Sequence, residues 1–132
     1  MDIAKMNQID RVLRDYPAKI SEHADDQEER RFLLDTEKLK LKQIEARKHL
    51  SFKAEKPDAT SPDLKAMVDE DDEVYAQRMA VIEFESAYRK AGIKVERYVN
   101  GFTAARKSAS LEIEVARSMN DTVRGGQQGG ER

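Results

Sequence analysis

The chain has 132 residues, enough for one domain, of which 38% are charged and 39% hydrophobic, with no tryptophan and no cysteine. The absence of cysteine excludes disulfides and thiolate chemistry, and the low apolar content is typical of extended helical hairpins. The formal net charge is only −2, so affinity for nucleic acid has to come from how charge is distributed. Neither a signal peptide nor a membrane-spanning run is present, which predicts a soluble cytoplasmic protein.

Apolar residues at helical spacing predict a short amphipathic helix over residues 1–16. These residues are Ile3, Met6, Ile9, Leu13 and Tyr16. Pro17 predicts the end of this helix, because proline disfavours the α conformation in the residue before it. From Ala18 to about Ala54 no glycine or proline occurs, which predicts a long second helix.

This long helix carries two apolar faces. The first holds Leu34, Leu41, Ile44 and Phe52, and the second holds Phe32, Leu39, Ala46 and Leu50. Two apolar faces on one helix predict contacts with more than one partner helix.

A turn is predicted near residues 56–70, where Pro57 and Pro62 flank polar residues. Ser61 predicts the N-cap of a short helix that ends near Val68, with Pro62 in its first turn. Five consecutive acidic residues, 69–73, follow. They favour a helix start, where the macrodipole attracts negative charge, over a calcium loop, whose spacing they lack.

A seven-residue repeat begins at Val74 and runs to about Ser118. Such a repeat predicts a long helix that buries one narrow seam against partner helices. The central seam residues are Val81, Tyr88, Val95, Tyr98 and Phe102. The predicted fold is all-α: a long antiparallel helical hairpin over residues 17–118 with the short N-terminal helix, assembling as a homo-oligomer through coiled-coil-like seams. The Gly-rich residues 119–132 predict a disordered tail.

Basic residues are concentrated in residues 38–56, which carry a surplus of five positive charges. In an antiparallel hairpin this stretch would lie beside the acidic residues 69–73 and be partly neutralised by them. Two interpretations stay open. The lysines and arginines solvate an outer helix face, or they track the phosphate backbone of a nucleic acid.

No nucleophile–base arrangement or Gly-rich phosphate loop is present. His23 and His49 are too far apart for a helix-borne metal pair. The sequence therefore predicts a protein that is not an enzyme and uses no metal or cofactor.

The segment Gln43–Ala54, with Ile44-Glu45-Ala46 followed by Arg47-Lys48 and then Lys53-Ala54, resembles the central helix of UvsY-type recombination mediators from tailed phages. The segment Thr60–Val68, followed by acids and Tyr75, continues the likeness, which covers roughly residues 25–115. Lys53 takes the place of the family's motif lysine, whereas Glu55 stands where the family has arginine.

This resemblance implies a ring-like helical oligomer of phage or prophage origin. It would bind single-stranded DNA and help load a RecA-like recombinase onto DNA covered by single-strand-binding protein. The expected nucleic-acid contacts are Arg47, Lys48, Lys53 and Lys56. The alternative is a helical structural or assembly adaptor that binds protein partners only.

Overall fold

A computed structural model describes residues 2–130, with side chains as far as Val123. In that range the chain forms three helices: α1 (Ile3–Glu55), α2 (Ser61–Glu70) and α3 (Asp72–Gly130). The chain divides into two compact units, one pairing α1 up to Glu22 with α3 from Val95 onward, the other comprising His23–Lys94. In each unit α1 runs antiparallel to α3, which confirms the predicted all-α helical hairpin.

The separate N-terminal helix predicted over residues 1–16 is wrong, because α1 continues through Pro17. Proline inside a helix removes a hydrogen bond and crowds the carbonyl four residues earlier, here that of Leu13. Packing in the first unit offsets this cost. Tyr16 meets Tyr98 of α3 edge to face, with ring centroids 4.9 Å apart, and Ile20 on the other side of Pro17 is half-buried.

The cap of α2 is Thr60, so the predicted N-cap at Ser61 is wrong by one residue. The Thr60 side chain accepts a hydrogen bond from the Asp63 backbone N–H, and the Asp63 carboxylate accepts one from the Thr60 N–H, each at 3.3 Å. This reciprocal capping box satisfies N–H groups that the first turn leaves open. Leu64 and Val68 then anchor α2, because both are buried.

The acidic run starts α3, as predicted. Asp71 lies between α2 and α3, and its carboxylate accepts hydrogen bonds from the backbone N–H groups of Glu73 at 3.0 Å and Val74 at 3.1 Å. Asp72 and Glu73 add negative charge to the first turn of α3, where the helix dipole favours it. Short polar side chains thus set both ends of the connection between the long helices.

As far as Ala109, the seven-residue repeat lies on the covered face of α3. Val74, Ala91 and Ala105 are buried. The predicted seam residues are all half-buried: Val81, Tyr88, Val95, Tyr98 and Phe102. Since α1 of the same chain packs along α3, the seam holds the fold, and assembly through it stays a prediction.

Only one of the two apolar faces of α1 is covered within the chain. Leu34 is buried, and Leu41, Ile44 and Phe52 are half-buried. The other face, called here the α1 outer stripe, is exposed and consists of Phe32, Leu39, Ala46 and Leu50.

The predicted end of α3 near Ser118 is wrong, because the helix extends to Gly130. No proline interrupts this part of the chain, and Leu, Glu, Ala, Arg and Met between Leu111 and Met119 are good helix formers. The predicted disordered tail is therefore helical up to Gly130, and its last two residues lie outside the described range. All side chains from Leu111 to Val123 are exposed.

Candidate nucleic-acid interface

The basic end of α1 and the acidic start of α3 lie side by side in the second unit. Arg47 forms an ion pair with Glu73. The Lys48 ammonium lies 3.3 Å from carboxylate oxygens of both Asp71 and Glu73. The structure thus confirms that the basic stretch is partly neutralised by the acidic run.

These contacts stabilise the charged forms of their members. Hydrogen bonds to Glu73 and then to Asp71 raise the pKa of Lys48. Hydrogen bonds from Arg47 and Lys48 lower the pKa of Glu73, and the pKa of Asp71 is lowered mainly by the Val74 backbone N–H. The shifts therefore favour the charged forms of Lys48, Asp71 and Glu73, and both Arg47 and Lys48 have acidic partners within the chain.

A second polar cluster links all three helices. The Arg78 guanidinium of α3 lies 2.7 Å from an Asp69 carboxylate oxygen on α2 and 3.4 Å from a Glu45 oxygen on α1. The hydrogen bond to Asp69 is the main reason that the pKa of Arg78 is raised. Arg78 therefore links α2 to both long helices through its two acidic partners.

Further along the pair, the Gln77 amide of α3 donates to Glu37 of α1, at 3.0 Å to its backbone carbonyl and 2.6 Å to its carboxylate. The amide and then Lys40 lower the pKa of the Glu37 carboxyl. A polar residue at a seam position thus bonds directly across the helix pair.

Lys53 and Lys56 differ from Arg47 and Lys48. Both are exposed, and neither joins an ion pair in the described part of the chain. The structure thus separates the four predicted contacts into a paired half, Arg47 and Lys48, and a free half, Lys53 and Lys56. DNA contact by any of them stays a prediction.

Sequence reasoning did not single out Lys65 as a candidate nucleic-acid contact. It lies on α2, is exposed, and forms no ion pair with the residues described. Lys65 and His49 line one groove of about 380 Å³, which Glu45, Asp69 and Arg78 also line. Lys53 follows His49 by one helical turn. The capping box gives the start of α2, and the sequence holds no signal for how α2 packs against α1. Lys53, Lys56 and Lys65 are called the turn lysines below.

Other features add little to a binding site. Tyr75 is 63% exposed, whereas Tyr88, Tyr98 and Phe102 are half-buried, so Tyr75 is the most accessible of these four aromatic rings. Among the described residues, no three or more His, Asp or Glu side chains are grouped to hold a metal ion. None of the described helices is both long and apolar enough to span a bilayer.

The chain matches no protein-family model, no curated protein and no solved structure with which it was compared. The likeness to UvsY-type mediators therefore rests on the residues of the chain itself.

Proposed function

We propose that this protein binds single-stranded DNA and acts as a recombination mediator, helping to load a RecA-like recombinase onto DNA covered by single-strand-binding protein. The observation that carries the DNA-binding step is the group of turn lysines, which have no acidic partner in the described chain. The loading step rests on the resemblance to UvsY-type mediators.

The turn lysines suit a phosphate backbone for an electrostatic reason. A lysine that is already paired with a carboxylate has to lose that partner before it binds phosphate, whereas an exposed free ammonium does not. Binding through such residues releases condensed counterions, so the affinity falls as salt rises. Arg47 and Lys48 serve the same surface indirectly, because they hold the start of α3 against the end of α1.

The test measures binding of a fluorescent single-stranded oligonucleotide between about 50 and 200 mM salt. Replacing Lys53, Lys56 and Lys65 together by glutamate is expected to abolish most of the affinity. Each lost phosphate contact lowers the slope of log K against log salt by about 0.7, hence by about 2 for three contacts in one subunit. Glu55→Arg adds a cation beside the turn lysines and is expected to tighten binding with a steeper slope.

A matched control changes the net charge equally elsewhere. Lys5 on α1 and Lys94 and Lys107 on α3 are exposed and form no ion pair among the described residues. Their joint replacement by glutamate is expected to weaken binding much less. Equal loss in both triple variants would mean that only net charge matters and would refute the site.

Reversal of Arg47 and Lys48 is a poor test of DNA contact. A glutamate at position 47 would face Glu73, and one at position 48 would face both Glu73 and Asp71. The repulsion would weaken the contact between α1 and the start of α3 whether or not DNA binds there. The turn lysines avoid this problem because they have no partner to lose.

The alternative function, an adaptor that binds only proteins, is favoured by a different observation. Phe32 is 70% and Leu50 is 68% exposed on the α1 outer stripe, and exposed rows of large apolar residues mark protein contacts. Wild-type protein that retains no oligonucleotide at low salt would favour this adaptor.

The mediator function has its own test. The DNA-dependent ATPase activity of the recombinase, measured on strands covered by single-strand-binding protein, should rise when this protein is added.

A further inference from the structure

A second apolar stripe lies on α3 of the same unit as the α1 outer stripe. This α3 outer stripe consists of Tyr75, Met79, Ile82 and Ile93. Their side chains are 63%, 40%, 56% and 43% exposed in that order, so each of these large apolar residues has at least two fifths of its surface in contact with solvent. The second unit therefore carries one uncovered apolar stripe on each long helix.

Both stripes have the spacing of a helix that packs lengthwise on another helix. On α1, Phe32, Leu39 and Ala46 recur every seven residues, and on α3 the step from Tyr75 to Ile82 is the same. This is the heptad period of coiled-coil contacts. The α1 outer stripe recurs over two heptads, whereas on α3 the heptad position after Ile82 is Arg89 and the stripe resumes at Ile93. Each stripe still exceeds the single exposed apolar residues that need no partner.

The stripes point away from the contact between α1 and α3. Leu39 is displaced by about 140° around α1 from buried Leu34, at 3.6 residues per turn. Met79 is displaced by about 140° around α3 from buried Val74 in the same way. One chain therefore cannot cover either stripe with its own long helices.

Charged flanks distinguish the two stripes. Lys40 and Lys42 flank Leu39 on the α1 outer stripe, with Asp35 nearer its start. Glu83 and Glu85 flank Ile82 on the α3 outer stripe, with Arg89 and Lys90 nearer its end. Lys42 and Glu83 form no ion pair in the range that the structure describes, whereas Lys40 bonds Glu37 and Glu85 faces Arg89 along their own helices.

The order of these charges selects the partner. Two α1 outer stripes would bring lysines together, and two α3 outer stripes would bring glutamates together. An α1 outer stripe set antiparallel to an α3 outer stripe brings the two lysines near Glu83 and Glu85 and also brings Asp35 near Lys90. Opposite flanking charges at heptad contacts set partner choice and orientation. Arg47 and Arg78, further along these flanks, are already held by acids of their own chain.

We infer that the α1 outer stripe of one copy of this chain binds the α3 outer stripe of a second copy, antiparallel and through different surfaces on the two copies. Because each copy then still offers one free stripe, the contact continues from copy to copy. Such unlike contacts close into a ring or extend as a filament. This assembly surface is independent of the turn lysines and does not use the seam between α1 and α3.

The experiment blocks one stripe at a time. Leu39→Asp disables the α1 outer stripe and Ile82→Asp disables the α3 outer stripe, and both replaced side chains are more than half exposed, at 57% and 56%. Wild-type protein should show a mass above the dimer by light scattering. Each variant alone should be a monomer with unchanged helix content by circular dichroism. An equimolar mixture of the two should form a one-to-one complex and stop there, because only one intact stripe of each kind remains.

A control and the contrary outcomes complete the test. Leu111→Asp alters another exposed leucine, 61% exposed and outside both stripes, and should leave the wild-type mass unchanged. If either variant alone forms dimers, the contact joins like stripes and the inference is wrong. A wild-type monomer at every concentration measured overturns it as well, and then a different protein covers the stripes.

Discussion

Gly92 and Gly101 both lie inside α3, yet they face different neighbours. A Cβ atom at Gly101 would lie 2.9 Å from Cε2 of the Tyr16 ring, which itself packs edge to face on Tyr98. A Cβ atom at Gly92 would lie 2.8 Å from the Nε2 atom of Gln27, the end of a flexible side chain. The Tyr16 ring is held by its contact with Tyr98, whereas the Gln27 amide can move by rotation of its side chain.

We therefore expect opposite effects of alanine at the two glycines. Gly92→Ala should raise the free energy of unfolding by about 0.5–1 kcal/mol, the helix propensity gain. Gly101→Ala should lower it by about 1 kcal/mol, because overpacking against Tyr16 exceeds that gain. Urea denaturation measures both. In a Tyr16→Ala background the alanine at position 101 should become stabilising, and equal effects of the two alanines in the wild type would contradict this account.

The N-cap of α2 shows how much a single residue could be predicted. Both Thr60 and Ser61 carry a hydroxyl that can cap a helix, so residue type alone does not choose between them. The residue three positions later does choose, since Asp63 follows Thr60 at that distance and Leu64 follows Ser61. The sequence thus contained the signal for Thr60 as the N-cap.

Among the elements, the sequence predicted which residues of α1 are helical but not that they form one continuous helix. Its apolar periodicity runs on both sides of Pro17 with little change in direction, and local rules for proline predict a break there. What overrides them is the packing of Tyr16 on Tyr98, a contact between residues 82 positions apart in the sequence. A long-range contact of this kind cannot be read from the residues around Pro17.

Pro17→Ala is expected to stabilise the protein. Alanine restores the backbone N–H that can bond to the Leu13 carbonyl and removes the crowding by the proline ring, a gain of up to about 3 kcal/mol. The midpoint of guanidinium denaturation should rise without a change in slope. The control is Lys19→Ala at an exposed position two residues away, and it should change the midpoint little. A lower midpoint for Pro17→Ala would mean that the proline is required for the path of α1.

At the scale of the whole molecule, the sequence predicted the apolar positions but not which of them the chain covers itself. The seam of α3 and the first face of α1 cover each other, as a hairpin of two long helices requires. Both outer stripes resemble these covered faces in residue type and spacing, so periodicity alone does not mark the outer stripes as uncovered. Exposure in the folded chain makes that distinction: the seam holds the fold, and the outer stripes are left for assembly.

Val74 and Tyr75 test this division at neighbouring positions, because Val74 is fully buried and Tyr75 is 63% exposed. Val74→Asp should lower the free energy of unfolding by about 3 kcal/mol or more, since a buried carboxylate there has no partner and adds to the charge of Asp71 and Glu73. This loss, followed by circular dichroism, should not depend on protein concentration. Tyr75→Asp should keep the helix content and reduce the assembled mass. If Val74→Asp instead gave a folded monomer, the seam would be a contact between copies, because only an intersubunit seam can be lost without unfolding the chain.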